Sequence, residues 1–276
     1  MVHKFIPHQV QDSNTLLKLF CCLVIIVVIC ISIGNYAFKN GHLTCDNYIL
    51  NTYLYIILAI LLVFMVVLLN DQFGIFNTFL ETLFSTSPIT GFIILLLLII
   101  GLTFTLHYVN PENILLSNSV WLLLVLLIGI IMIPTILFAR LTNVTGLAGL
   151  LTVVIVILTG LLGYYLGDKI ITFDWDKYLL WALISLIIVS VFGPIFIKTQ
   201  EGMIKFIYGI SIAGLIIFIL LLISNHKRIK DNADKCIDGK MIPNYPLESY
   251  SLFIKIVNVF SDVVRILGRR RLRRYR

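Results

Sequence analysis

Charged residues are scarce in this 276-residue chain: Asp, Glu, Lys and Arg together make up only 13% of it. A soluble domain carries roughly 25%. So few charges cannot clothe a solvated globule or keep a chain expanded, which excludes a soluble globular enzyme and a disordered protein. Cysteine is limited to five residues, with no Cys-x-x-Cys pair and no Cys/His cluster of metal-ligand spacing. Cys21, Cys22 and Cys30 fall within an apolar run, where a thiol behaves as a small hydrophobe. Cys45 and Cys236 read as single loop residues. A disulfide-stapled secreted module is therefore excluded, and neither a disulfide framework nor a structural metal site is expected. Nucleophile elbow, phosphate loop and paired His/Glu zinc motif are also missing from the sequence. No enzyme activity, catalytic residue or metal is expected, and no cofactor beyond bound lipid.

Apolar residues dominate instead: 59% of the chain is hydrophobic and the mean hydropathy is +1.02. That composition belongs to a polytopic membrane protein. Runs long enough for about 30 Å of hydrocarbon occur at 15–37, 48–69, 89–109, 117–139, 144–166, 178–198 and 203–224. Short polar or Pro-containing breaks separate them, such as Asn70-Asp71, Asn110-Pro111-Glu112 and Thr142-Asn143. The fold class expected is an all-α bundle of seven to eight transmembrane helices over residues 1–268, followed by a basic tail over 269–276. In lipid such runs must be helical, because an open strand would leave backbone groups unpaired. The first run reads as a span rather than a cleaved signal peptide, since no small-x-small site follows it.

The net charge of +7 sits at one end: residues 1–224 hold 8 basic against 9 acidic residues, and residues 225–276 hold 13 against 5. Most of the excess is Arg269, Arg270, Arg271, Arg273, Arg274 and Arg276. A basic tail beside apolar helices meets anionic headgroups or an acidic partner subunit, each cation contributing about 1 kcal/mol near such a surface. The expected partners are membrane lipids and other membrane-complex subunits, with no nucleic acid. Cardiolipin is the natural lipid if the membrane is mitochondrial. Basic loops on both faces leave the positive-inside rule nearly balanced, leaning to both termini on the matrix or cytosolic side.

Gly146, Gly149, Thr159, Gly160 and Gly163 recur at spacings that let helix backbones approach closely. Pro134 and Pro194 lie inside spans and are expected to kink them. Arg140 reads as a cation at a helix C-terminus, and His107 as interfacial. The segment 246–267 differs from every other run. Glu248, Ser251, Lys255, Asn258, Asp262 and Arg265 fall within about 100° of one another on a helix, a narrow polar stripe. One reading is an amphipathic helix on the membrane surface. The other is an eighth, central span in contact with at least three others, its stripe facing the bundle interior.

The order of short motifs resembles the Bax-inhibitor family, and within it the growth-hormone-inducible transmembrane branch. The residues that carry the resemblance are Trp121-Leu122-Leu123 with Gly129, Pro134 and Thr135, then Thr145 to Leu151, then Ser190-Val191-Phe192-Gly193. The C-terminal part is closest: Lys227 to Lys230, Asn244 to Ser249, Ser251 to Phe260, and Arg265-Ile266-Leu267-Gly268. Residues 117–268 are covered well, and the first three spans by hydrophobicity alone. The resemblance implies a compact bundle with its C-terminal helix at the centre, a mitochondrial inner-membrane location, and calcium/proton exchange that uses two aspartates. One would begin an Asp-Thr-Gln motif near the end of the penultimate span; the other would lie in the last helix.

Neither aspartate is present. Ser224-Asn225-His226 stands at the first position and Lys255 at the second. Calcium wants six to eight oxygens with carboxylates among them, so the family's ion site reads as degenerate. An ammonium inside a central helix costs roughly 2.5–3.5 kcal/mol unless paired. Glu248 and Asp262 lie two turns away, so Lys255 is expected to bond Ser224, Asn225 or nearby carbonyls. The function this suggests is a transport-silent structural or accessory subunit of a mitochondrial inner-membrane assembly, such as a respiratory complex. The alternatives are a calcium/proton channel or exchanger using substitute groups, and a cell-death modulator of ER or Golgi membranes.

Overall fold

Long runs of Leu, Ile and Val leave the backbone one solution in lipid, and the chain takes it almost throughout. The computed structural model describes residues 13–39, 41–85, 88–171 and 175–274. Helix α1 (Ser13–Ala37) leads through a two-strand hairpin (β1, Phe38–Lys39; β2, His42–Leu43) into α2 (Tyr48–Phe73) and α3 (Ile75–Ser85). Helices α4 (Pro88–Tyr108), α5 (Ile114–Leu141) and α6 (Thr145–Leu161) follow. A π-turn (Leu162–Leu166) and the short α7 (Gly167–Ile170) prolong α6, and α8 (Trp175–Phe196), α9 (Gln200–Ile237) and α10 (Tyr245–Arg274) complete the fold.

Among the described residues six helices are long and apolar enough to cross a membrane: α1, α2, α5, α6 through Lys169, α8 and α9. The run expected at 89–109 is α4, whose described apolar stretch, Ile93–Tyr108, is shorter than those six. Three sequence expectations are corrected. Asn70-Asp71 does not break α2, which runs on to Gly74, left-handed at φ 65°. Asn70 instead organises the turn into α3, its Oδ1 accepting from the Phe76 N–H at 3.0 Å. The last apolar run does not end its helix near Ser224. Ile229, Ala233 and Cys236 stay buried on one face of α9, so an amphipathic extension carries the helix on to Ile237. Cys45 and Cys236 are disulfide-bonded rather than free thiols, while Cys21, Cys22 and Cys30 are free. Cys45 and Cys236 each stand singly in their stretch of sequence, which carries no local sign of a disulfide.

The chain forms two compact units, one comprising residues up to Ile133 with Ile242–Tyr250, the other Pro134–Met241 with Ser251–Arg276. Helices α5 and α10 contribute to both. In the first unit, Gly129 of α5 lies against Val66 of α2, close enough that an added Cβ would meet the valine side chain at 3.2 Å. In the second, Asn143 adopts a left-handed φ of 52° between α5 and α6; Asn tolerates that conformation better than most side chains. Thr199 caps α9, accepting from the Gly202 N–H at 3.1 Å.

Burial inverts polarity. Leu17 and Phe20 of α1 and Trp181 and Phe196 of α8 are exposed apolar side chains, the surface a lipid-embedded helix requires. Helix α10 is the least apolar of the long helices and the most deeply buried. Leu252, Phe253, Val259 and Val264 are sealed, and Glu248 and Asp262 are only 7% and 5% exposed.

Candidate functional site

Helix α10 begins with a cap: Asn244 Oδ1 accepts from the Leu247 N–H at 3.1 Å. Pro246 sits in the first turn, where an N–H would have no helical acceptor. These first turns enter an aromatic cluster of the first unit. Tyr245, fully buried, packs its ring 5.4 Å from Tyr48 and stacks 6.1 Å from Tyr55, which meets Trp121 edge-on at 5.3 Å. The Tyr245 hydroxyl donates to the Thr44 carbonyl and accepts from Asn51 Nδ2 at 3.3 Å. Asn51 also donates to the Tyr36 carbonyl at 3.0 Å. Thr103 of α4 shares a 3.0 Å hydrogen bond with the Tyr250 hydroxyl. The start of α10 is thus tied to α2 and α4.

The second unit holds the sequence-predicted site. Ser224, Asn225 and His226 of α9 are all buried. Lys255 Nζ donates to Asn225 Oδ1 at 3.1 Å, to the Ser251 carbonyl at 2.8 Å and to Ser251 Oγ at 3.1 Å. Asn225, one of the two side chains expected to bond it, is therefore a partner. An ammonium cannot accept a hydrogen bond, so Asn225 must turn its oxygen to Lys255. Its Nδ2 then donates to Ser251 Oγ at 3.2 Å. A second cation closes on the same hydroxyl, Arg228 Nη2 lying 2.8 Å from Ser251 Oγ.

Contacts between α9 and α10 step regularly, Asn225 with Ser251, Gly214 with Asp262 and Tyr208 with Arg269, as two antiparallel helices require. Asp262 sits where Gly214 leaves room: a Cβ on Gly214 would stand 2.5 Å from Asp262 Oδ2. Ser211, fully buried, lies beside the same carboxylate. Arg265 Nη1 is 3.6 Å from Asp262 Oδ1, a pairing that their three-residue spacing allows. Asn258 donates back to the Ile254 carbonyl at 2.7 Å, satisfied within its own helix. Gly268 fits beneath Phe138 of α5. With contacts to α2 and α4 in one unit and to α5 and α9 in the other, α10 is an interior helix, not a surface one.

Small residues bring α6 and its π-turn onto α9. A Cβ on Gly163 would stand 2.6 Å from the Ile223 carbonyl and 2.7 Å from His226 Cβ. A Cβ on Gly160 would sit 3.6 Å from the His226 ring. Of the tail cations, Arg269 places its guanidinium 4.6 Å over the Tyr208 ring. Arg271 is half-buried at the last turns of α10. The side chains of Arg270, Arg273 and Arg274, and all of Arg276, lie outside the described residues.

Sequence reasoning placed Ser251 on the stripe but missed it as the hub of the cluster. It also missed Arg228, Gly214 and the Asn51–Tyr245 pair. A usable signal existed for Arg228, which follows Asn225 by three residues and so shares its helix face. Chemically, the cluster is a hydrogen-bonded cation site whose cation is the protein's own.

Comparison with known proteins adds one positive finding. The family model described as "Inhibitor of apoptosis-promoting Bax1" matches residues 45–271. The match reaches beyond the C-terminal motifs to take in α2, α3 and α4. No curated protein matches the chain.

Proposed function

The chain belongs to the Bax-inhibitor family, and from that premise we propose that it is a transport-silent member serving as a structural, accessory subunit of a larger membrane assembly. The membrane in this reading is the mitochondrial inner membrane and the assembly is of the respiratory-complex kind. Motif resemblance to the growth-hormone-inducible branch supports that placement.

One observation carries the proposal: the Lys255 ammonium is fixed by three oxygen contacts from Asn225 and Ser251. In the motif register this is where an ion-exchanging relative presents a carboxylate. A divalent ion brought beside that ammonium meets a repulsion on the order of several kcal/mol at an effective dielectric of about 20. Arg228, on the same hydroxyl, adds to it. The Asn225 and Ser251 oxygens that could ligate calcium are thus already engaged by the protein's own cations. The site holds one arrangement of α9 and α10 instead of alternating between two.

Calcium flux in liposomes tests the transport half. The unmodified chain should be silent, and the Ser224→Asp/Lys255→Asp variant should gain flux. Equal flux from both would refute the reading. Native-expression purification with mass determination tests the subunit half; a stable, partner-free monomer would refute it. A second reading, exchange through substitute carboxylates, is favoured by Glu248 and Asp262, both buried, the latter over Gly214. Flux from the unmodified chain that disappears in Asp262→Asn would establish that reading instead.

A further inference from the structure

Helix α9 carries a cation–aromatic contact at each of two levels. Near its start Arg269 lies over Tyr208 at 4.6 Å. Further on, Lys230 Nζ lies 5.4 Å over the Tyr164 ring of the π-turn. From Tyr208 to Lys230 the helix rises about 33 Å at about 1.5 Å per residue, close to a hydrocarbon core of about 30 Å. Aromatic rings and snorkelling cations mark membrane–water boundaries. Tyr164 and the lysines of α9 therefore stand at one boundary.

At that level a single carboxylate bridges two ammonium groups. Asp168 Oδ1 is 3.3 Å from Lys227 Nζ and Asp168 Oδ2 is 3.5 Å from Lys230 Nζ. The lysines also donate to carbonyls on either side of Asp168, Lys227 to that of Ile171 at 3.4 Å and Lys230 to that of Tyr164 at 3.3 Å. Their ammonium groups are thus placed by backbone as well as by Asp168. The Asp168 side chain is itself 69% exposed, open to displacement. Lys169, next in sequence, is also exposed and adds a third cation beside Asp168. Toward the hydrocarbon, Leu158 and Leu161 of α6 present exposed apolar surface.

We infer that Lys227 and Lys230, with Tyr164 beside them, form a seat for the headgroup phosphate of an anionic phospholipid. Asp168 occupies the seat when no lipid does. A phosphodiester offers two unesterified oxygens and one negative charge, the same bidentate pattern the carboxylate presents, one oxygen to each ammonium. The exposed leucines supply the surface along which acyl chains lie, which commits the site to lipid over soluble phosphate.

The test uses the full chain in zwitterionic nanodiscs doped with phosphatidylglycerol, reading retained lipid by native mass spectrometry and stabilisation by thermal shift. Removing one lysine should weaken retention about fivefold, and Lys227→Gln/Lys230→Gln about thirtyfold. Asp168→Asn frees the seat and should strengthen retention, whereas loss of an ordinary structural ion pair would not. Arg271→Gln/Arg273→Gln/Arg274→Gln, which alters only the tail, should leave this lipid bound. Inorganic phosphate should not stabilise the protein. Wild-type retention in the double glutamine variant would overturn the inference, and so would stabilisation by inorganic phosphate equal to that by lipid. If the double variant does not fold, Asp168→Asn decides alone: unchanged or weaker retention refutes the seat.

Discussion

Replacing Asn225 by Ala removes the side-chain oxygen that accepts from Lys255 at 3.1 Å and the amide that donates to Ser251 at 3.2 Å. Lys255 would keep the Ser251 carbonyl and hydroxyl, so its ammonium would be under-satisfied rather than bare. A hydrogen bond to a charged group contributes about 1.5–3 kcal/mol net, and Asn225→Ala should destabilise the fold by about 2 kcal/mol. The asymmetry of such pairs supplies the sharper test. Removing one partner leaves the other's desolvation uncompensated, whereas replacing both with apolar groups of similar shape is close to neutral. Lys255→Met keeps much of the side-chain volume and deletes the charge. In the Asn225→Ala background it should recover at least half of the lost stability, a coupling of about 1 kcal/mol or more. Reversible unfolding in mixed detergent with a denaturing surfactant, run on all four members of the cycle, gives that coupling directly. Strictly additive losses, with no rescue by Lys255→Met, would refute the reading that Asn225 exists to hold the ammonium.

Gly163→Ala should destabilise by about 1–3 kcal/mol through overpacking, because its Cβ would meet the Ile223 carbonyl. Gly167→Ala would bring its Cβ to 3.0 Å from Lys227 Cβ, a milder overlap than the 2.6 Å at Gly163, and should destabilise less; thermal melts of the two variants check the contrast. Gly214→Ala should be rescued in part by Asp262→Ala, since the obstructing atom is Asp262 Oδ2; a melt of the double variant no better than Gly214→Ala alone would refute this. Tyr245→Phe removes the hydroxyl linking Asn51 to the Thr44 carbonyl and should cost about 1–3 kcal/mol. Limited proteolysis should then cut faster at residues 44–47, and unchanged cleavage there would count against that linkage.

Membrane class, helical state and the crossing segments were legible in the residue order, because the deciding quantity is local: the length of an apolar run against the thickness of hydrocarbon. The polar stripe of 246–267 was legible for the same reason, since helical phase depends on spacing alone. Spacing could not tell a surface helix from an interior one. Both bury one face, and only the partners on the other face differ. Neighbouring helices decided it, by sealing Leu252 and Val264 together with Glu248 and Asp262. Lys255's need for oxygen partners followed from its charge, and Asn225 was among the side chains named for it. Ser251 as the shared acceptor, Arg228 as a second cation on it and Gly214 as the recess for Asp262 depend on the register of α9 against α10. That register is set by side-chain volumes across the interface between residues tens of positions apart, and no window of sequence contains both sides. The continuation of α9 to Ile237 was missed because its polar half is helical only with Ile229, Ala233 and Cys236 packed, a condition that tertiary structure alone supplies.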